Sequence, residues 1–402
     1  MIGRRVFLAT GGTLLGILAT GSGGAGYLLH KLNRIGSRSN DFRSTAETLS
    51  RSALFRAYPP LARHIPWQSL GDLPTPVEQL GSSLGLPEGK LWVKRDDLTS
   101  PVYGGNKVRK LEHLLEDARL RGRKSLITIG GLGSNHALAT AVHGGRLGFK
   151  VHLCLSDQPV TKYVRRNLAG FLSAGAIVHY CSDTKGAYRY SRKLFSELKD
   201  KDEAPYFILS GGTCGLSNVG HVNAAFEIAE QVRAGLLPEP DKLFVAAGTC
   251  GTIAGLIAGL KISGLSTRVV GVRVVDSFPA YPYIIRYYAQ KVADYLHKYD
   301  RSIPRIKIEK TDFDLLTNYL GQGYGAVTDE GMEAVERSAS LISLETTYTG
   351  KTLAACLDYC RREAFEEKIL FWNSYNSAEF EQSSAYDGLP GEILKKLKGS
   401  VE

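Results

Sequence analysis

A chain of 402 residues with 43% hydrophobic and 22% charged residues has the make-up of a globular protein with room for two compact domains, which excludes collagen, coiled-coil and disordered designs. Of the net charge of +10, residues 1–66 contribute +7; the rest is near neutral with no basic stripe, which argues against nucleic acid as a partner. Six cysteines, at 154, 181, 214, 250, 356 and 360, form no Cys-x-x-Cys pair and lack histidines at zinc spacing, so free thiols are expected and no metal site.

Taken in chain order, residues 6–29 carry no charge and are long enough to span a bilayer, though seven glycines dilute their apolarity. With Arg4-Arg5 ahead of them, they are similar to a twin-arginine export signal. Residues 1–30 are therefore expected to be an export signal or membrane anchor, placing the protein on a membrane or in the periplasm, with the membrane as a partner. The alternative is an organellar transit peptide, because residues 31–56 are rich in Arg and Ser. Residues 31–66 read as a linker ending in Pro59-Pro60 and Pro66.

From about residue 68 the pattern changes. Short apolar runs predict strands at 91–93, 125–129, 151–155, 176–180, 206–209, 243–247, 269–275 and 369–372. Val108, Leu111, Leu114, Leu115 and Ala118 follow helical spacing, and further helices are predicted after Ser134 and Thr252. Strand, glycine-rich turn and helix in alternation predict an α/β fold with mostly parallel sheets, whose ligands bind at the turns.

Three turns carry candidate chemistry. Gly104-Gly105-Asn106-Lys107 places a lysine at the start of a helix, where a lowered pKa makes it a nucleophile toward an aldehyde; an exposed lysine on an amphipathic helix is the alternative. Gly133-Ser134-Asn135-His136 follows a strand and opens a helix, offering either an anion site or a helix cap. Gly248-Thr249-Cys250-Gly251-Thr252 does the same, with small residues and hydroxyls that let backbone N–H groups converge on a phosphate; it is neither a Walker loop nor a G-x-G-x-x-G fingerprint.

Together, these turns resemble those of fold-type II pyridoxal-phosphate (PLP) enzymes, specifically the 1-aminocyclopropane-1-carboxylate (ACC) deaminase / D-cysteine desulfhydrase family. The match includes Lys94-Arg95-Asp96-Asp97-Leu98, the run Gly104 to Glu112, Gly133 to His136, and the segments around Tyr324 and Tyr348; it covers about residues 65–380. The resemblance implies a tryptophan synthase β-like fold of two three-layer α/β domains with the cofactor between them. Residues 67–111 and 223–402 are expected to form the large PLP-binding domain and 112–222 the small one.

The resemblance also implies roles. Lys107 is the Schiff-base lysine, Asn135 bonds the pyridoxal 3′ oxygen, and Gly248, Thr249, Cys250, Gly251 and Thr252 cradle the phosphate. Ser134 contacts the substrate carboxylate, while Tyr324 and Tyr348 line the substrate side or serve only as packing aromatics. The residue after the second tyrosine is Glu in ACC deaminases and Thr in desulfhydrases; here it is Thr349. With Ser374 as a second hydroxyl near the pyridine nitrogen, β-elimination from a small amino acid such as D-cysteine is expected, as a lyase or hydrolase, in a homodimer. ACC deamination, another fold-type II activity, and a membrane-tethered protein that binds the cofactor without turnover are the alternatives. Two departures bear on them: Cys250 and Tyr375-Asn376 stand where the family has glycines.

Overall fold

The computed structural model describes residues 50–276, 279–361, 366–379 and 386–399. Residues 6–29, on which the anchor-or-signal expectation rests, lie outside them. In chain order the elements are α1 (Ala53–Ala57), β1 (Val77–Gln79), β2 (Leu91–Lys94), α2 (Asn106–Leu120), β3 (Ser125–Gly131), α3 (Asn135–Arg146), β4 (Lys150–Ser156) and α4 (Lys162–Ser173). Then come β5 (Ile177–Cys181), α5 (Thr184–Asp200), β6 (Pro205–Ile208), α6 (Val219–Arg233), β7 (Lys242–Ala247), α7 (Gly251–Ser263), β8 (Arg268–Arg273) and α8 (Pro282–Tyr299). The series closes with β9 (Phe313–Leu316), α9 (Asp329–Ser338), α10 (Thr349–Cys360), β10 (Ile369–Trp372) and α11 (Gly391–Gly399).

Two sheets result. One has the order β5-β4-β3-β6 and is parallel throughout; the other runs β1-β2-β10-β7-β8-β9 and is parallel except for β1. All eight expected strands are present. The two unexpected ones, β1 and β9, are short and lie at the edges of their sheet, largely unburied, so they carry no uninterrupted apolar run to read.

The chain divides into two compact units. One holds Ala118–Ser210 and α11, with the four-stranded sheet. Its core packs Ile127, Ile129, Cys154 and Phe207 against Leu194, Phe195 and Leu198 of α5. The other holds the described residues up to Asp117 and Gly211–Phe380, with the six-stranded sheet. There Leu243, Val245, Leu370 and Trp372 pack on Ile253 and Ile257 of α7, while Phe244 and Phe371 pack with Leu353 and Leu357 of α10. Burial on both faces explains why these strands read as continuous apolar runs. Helices α6 and α7 touch so closely that a Cβ on Gly255 would lie 2.5 Å from the Asn218 carbonyl oxygen.

Candidate active site

The turn before α2 sets the position of Lys107. Gly105 has φ +95°, and a Cβ there would lie 2.6 Å from the Tyr375 carbonyl oxygen, so only glycine fits. Lys107 is partly exposed as a residue, yet its amine end is desolvated, and burial lowers its pKa to about 8. That amine makes no hydrogen bond or ion pair among the described residues. It is a buried amine whose lowered pKa favours the neutral form more than an exposed lysine's does.

Beside it lies the loop between β7 and α7. The side-chain amide of Asn106 donates to Thr252 Oγ1 at 2.9 Å, tying the lysine turn to this loop. Cys250 adopts φ +64°, a left-handed conformation that glycine takes without strain, and its side chain is buried. No side chain caps α7, so its first amides remain available to an anion. A Cβ on Gly251 would meet Lys110 Nζ at 2.6 Å, Asn218 Oδ1 at 2.6 Å and Thr213 Oγ1 at 2.7 Å. Asn218 is fully buried, and its side-chain nitrogen and oxygen have no partner among the described residues. Lys110 donates to Gly211 O at 2.9 Å and to Thr213 Oγ1 at 3.0 Å, and Thr213 Oγ1 lies 2.7 Å from Thr249 Oγ1. Burial, and then the charge of Lys107, push the Lys110 amine well below its ordinary value. Free amides, hydroxyls, an orphaned carboxamide and a buried lysine around one glycine suit a phosphate group. Lys110, Thr213 and Asn218 went unremarked in the sequence; the signal available was that Lys107 and Lys110 stand three apart on one helix and share a face.

The two tyrosines meet. Their hydroxyl oxygens are 2.5 Å apart, and burial raises the pKa of both. The Tyr348 ring stands near Gly248, 3.8 Å from where a Cβ would be. Thr349 does not offer a free hydroxyl: its Oγ1 accepts from Glu345 N at 3.0 Å and donates to Glu345 Oε1 at 3.2 Å. Glu345 is buried, and its carboxylate also accepts the backbone N–H groups of Thr347, Tyr348 and Thr349, fixing the start of α10. Ser374 is held at the lysine turn, its carbonyl accepting from Asn106 N at 3.3 Å, and its hydroxyl makes no hydrogen bond among the described residues.

Ser134 and Asn135 belong to the other unit. Ser134 caps α3, its hydroxyl accepting from Ala137 N at 3.2 Å. Asn135 Oδ1 accepts from Asn167 Nδ2 at 2.9 Å, which leaves the Asn135 amide nitrogen free to donate.

The family described as "Pyridoxal-phosphate dependent enzyme" matches residues 68–374. This chain belongs to that family. The enzyme is 36% identical over 297 residues to the mitochondrial bifunctional D-cysteine desulfhydrase/ACC deaminase of Arabidopsis thaliana, covering 70% of each chain. It is 32% identical over 309 residues to the D-cysteine desulfhydrase of Salmonella paratyphi A, covering 74% of this chain and 90% of that one. A solved structure of an ACC deaminase homologue superposes with a TM-score of 0.69 at 28% identity, covering 85% of this chain and 98% of that one. The fold is therefore the fold-type II PLP fold, and the cofactor is pyridoxal phosphate.

Two expectations are corrected. Neither a membrane anchor nor an export signal is supported, and the membrane is not retained as a partner. No helix among the described residues is long and apolar enough to cross a membrane, and the relatives that align over most of their length are named as enzymes of small amino acids, the plant one mitochondrial. The expectation rested on the absence of charge across residues 6–29, and seven glycines make that a weak apolar signal. The hydrolase label is also withdrawn; the relatives are named desulfhydrase and deaminase.

Proposed function

We propose that this enzyme is a PLP-dependent lyase that eliminates the β substituent of a small amino acid, D-cysteine in preference to ACC, giving a keto acid and ammonia. The observation that carries the reading is the desolvated, unpartnered Lys107 amine tied through Asn106 to a phosphate-shaped loop. Bound there, the cofactor supplies an electron sink for charge developing at the substrate α-carbon. Gly248 to Thr252, with Lys110, Thr213 and Asn218, hold its phosphate, and Lys107 carries it. Released when the substrate amine takes its place, the Lys107 amine, its pKa lowered by burial, would take the α proton. Tyr324 and Tyr348, sharing one short hydrogen bond, hold a proton on the substrate side. Ser134 orients the substrate carboxylate and Asn135 donates to the 3′ oxygen, assignments that rest on the resemblance of their turn.

Specificity follows from the partner of the ring nitrogen. The Ser374 hydroxyl is unengaged, whereas the Thr349 hydroxyl is turned to Glu345; by the resemblance, Ser374 would offer the ring nitrogen a neutral partner. Neutral hydrogen bonds are about half as strong as charge-assisted ones, which leaves a weaker sink. A thiolate leaving group tolerates that better than a strained carbon ring.

The test takes the full chain with pyridoxal phosphate. Borohydride reduction and peptide mapping should place the pyridoxyl group on Lys107; finding it on Lys110 or Lys351 would sink the assignment. The ratio of kcat/KM for D-cysteine to that for ACC should exceed one, and faster turnover of ACC would overturn the preference.

A further inference from the structure

Tyr375-Asn376 stands where the resembled family has two glycines, and such side chains would be expected to crowd the cofactor. Asn376 does something else. It is buried, and its Oδ1 accepts from the backbone N–H of Gly104 at 2.6 Å and from that of Ala378 at 3.1 Å. Its Nδ2 donates to Ala378 O at 2.9 Å, so the carboxamide is satisfied and oriented on both sides. The neighbouring backbone grips the same turn. Asn106 N donates to Ser374 O at 3.3 Å, Ser377 N donates to Asp97 O at 3.1 Å, and the Ser377 hydroxyl donates to the Asp97 carboxylate. The Tyr375 carbonyl lies against Gly105. Residues 374–377 thus hold the chain at Asp97, Gly104 and Asn106; Asn376 supplies the side chain that accepts the Gly104 N–H, while Thr99 Oγ1 donates to the Gly105 carbonyl at 3.0 Å.

We propose that Asn376 is a positioning residue for Lys107: by accepting the Gly104 N–H, it fixes the turn that aims the lysine amine and keeps it out of water. Two glycines in tandem leave this turn the greatest conformational freedom of any pair, so an external hydrogen bond matters more here than in a stiffer loop. Gly104 N has no other hydrogen-bond acceptor among the described residues, so loss of Oδ1 would leave a buried donor unpaired. The proposal rests on the reading of Lys107 as the cofactor lysine. Its effect on the amine, however, can be read without cofactor.

Three variants of the full chain decide it: Asn376→Ala, Asn376→Asp, which keeps an acceptor for Gly104, and Ile285→Val, a core change in α8 distant in sequence from the turn. In cofactor-free protein, site-resolved acetylation across pH 7–11 reads the Lys107 amine. Its midpoint should rise from near 8 toward the ordinary lysine value of 10.5, by about one unit or more, in Asn376→Ala, and stay put in Ile285→Val. In the holoenzyme, kcat for D-cysteine should fall about tenfold or more in Asn376→Ala with KM within about twofold, because misaligned reacting groups cost rate before binding. Asn376→Asp should keep kcat within about threefold of the parent, since an acceptor remains for the Gly104 amide. The proposal is overturned if Asn376→Ala leaves both midpoint and kcat unchanged, or if Ile285→Val moves the Lys107 midpoint as far. Should the parent protein fail to bind pyridoxal phosphate, the functional reading fails while the acetylation midpoints still judge Asn376.

Discussion

Lys107 and Lys110 are two buried amines one helical turn apart, and their surroundings divide the work between them. Lys107 has no partner and is lowered by burial alone. Lys110 is held by Gly211 and Thr213 against Gly251 in the loop before α7, and it is lowered by burial and then by Lys107. An anion in that loop would favour the charged form of Lys110 and raise its pKa. The loaded protein then holds more protons on Lys110 than the free protein, so this residue's contribution to affinity weakens as pH rises. Lys110→Met should weaken pyridoxal phosphate binding about 10–100-fold, the effect of about 1.5–3 kcal/mol for a hydrogen bond to a charged group. Titration by visible absorbance from pH 6 to 9 reads it, and the ratio of parent to variant affinity should shrink toward high pH. A ratio that is flat or grows would remove Lys110 from the phosphate site. Lys107 stands out in the sequence as a candidate by its glycine-flanked turn. The part played by Lys110 does not, because nothing in a single helix shows which of its lysines meets a loop more than a hundred residues away.

Helix α2 is pinned at its first turn by a buried ionic cluster. Arg109 bonds both oxygens of Asp96, at 2.7–3.0 Å, and both of Glu227, at 2.7 and 2.9 Å; Lys94 lies 3.3 Å from Glu227. Trp372 Nε1 donates to Asp96 from the end of β10. The cluster joins the residues ahead of the lysine turn, α2, α6 and β10 around Lys107. Arg109→Met should cost about 3–5 kcal/mol in chemical denaturation, since it leaves buried carboxylates without their partner. Burial alone would raise the Glu227 carboxyl, but Arg109 and Lys94 outweigh it and hold it below 4.5. Its stabilising contribution is complete above that value and is lost as pH falls through the lower folded value, so the acid-side slope should flatten in the variant. A loss under about 1 kcal/mol would mean that the cluster relaxes or fills with water. At the scale of elements, sequence periodicity reads well where a strand is buried on both faces, as in β3, β7 and β10, and fails for β1 and β9, whose half-exposed edges lack that signature.

Across the whole molecule, none of the six cysteines is in a disulfide and all are buried, two in the unit around the four-stranded sheet and four in the other. Burial raises the thiols of Cys154, Cys181 and Cys356, and Cys250 to about 12, so the nucleophilic thiolate is scarce at neutral pH. Ellman's reagent should therefore find almost no thiol in the native protein and all six once it is unfolded in guanidinium. Rapid native reaction at Cys250 would show the loop between β7 and α7 open to solvent. The sequence by itself determined the α/β alternation and the family, and it singled out Lys107 as the candidate lysine, because buried strands, glycine turns and a lysine at a helix start leave local patterns in the chain. Only the tertiary structure decided that Thr349 turns its hydroxyl to Glu345, that Lys110 and Asn218 converge on Gly251, and that Asn376 grips Gly104. Each of these is a hydrogen bond or close approach whose partner is set by how distant segments pack, and the spacing of residues along one segment carries no record of it.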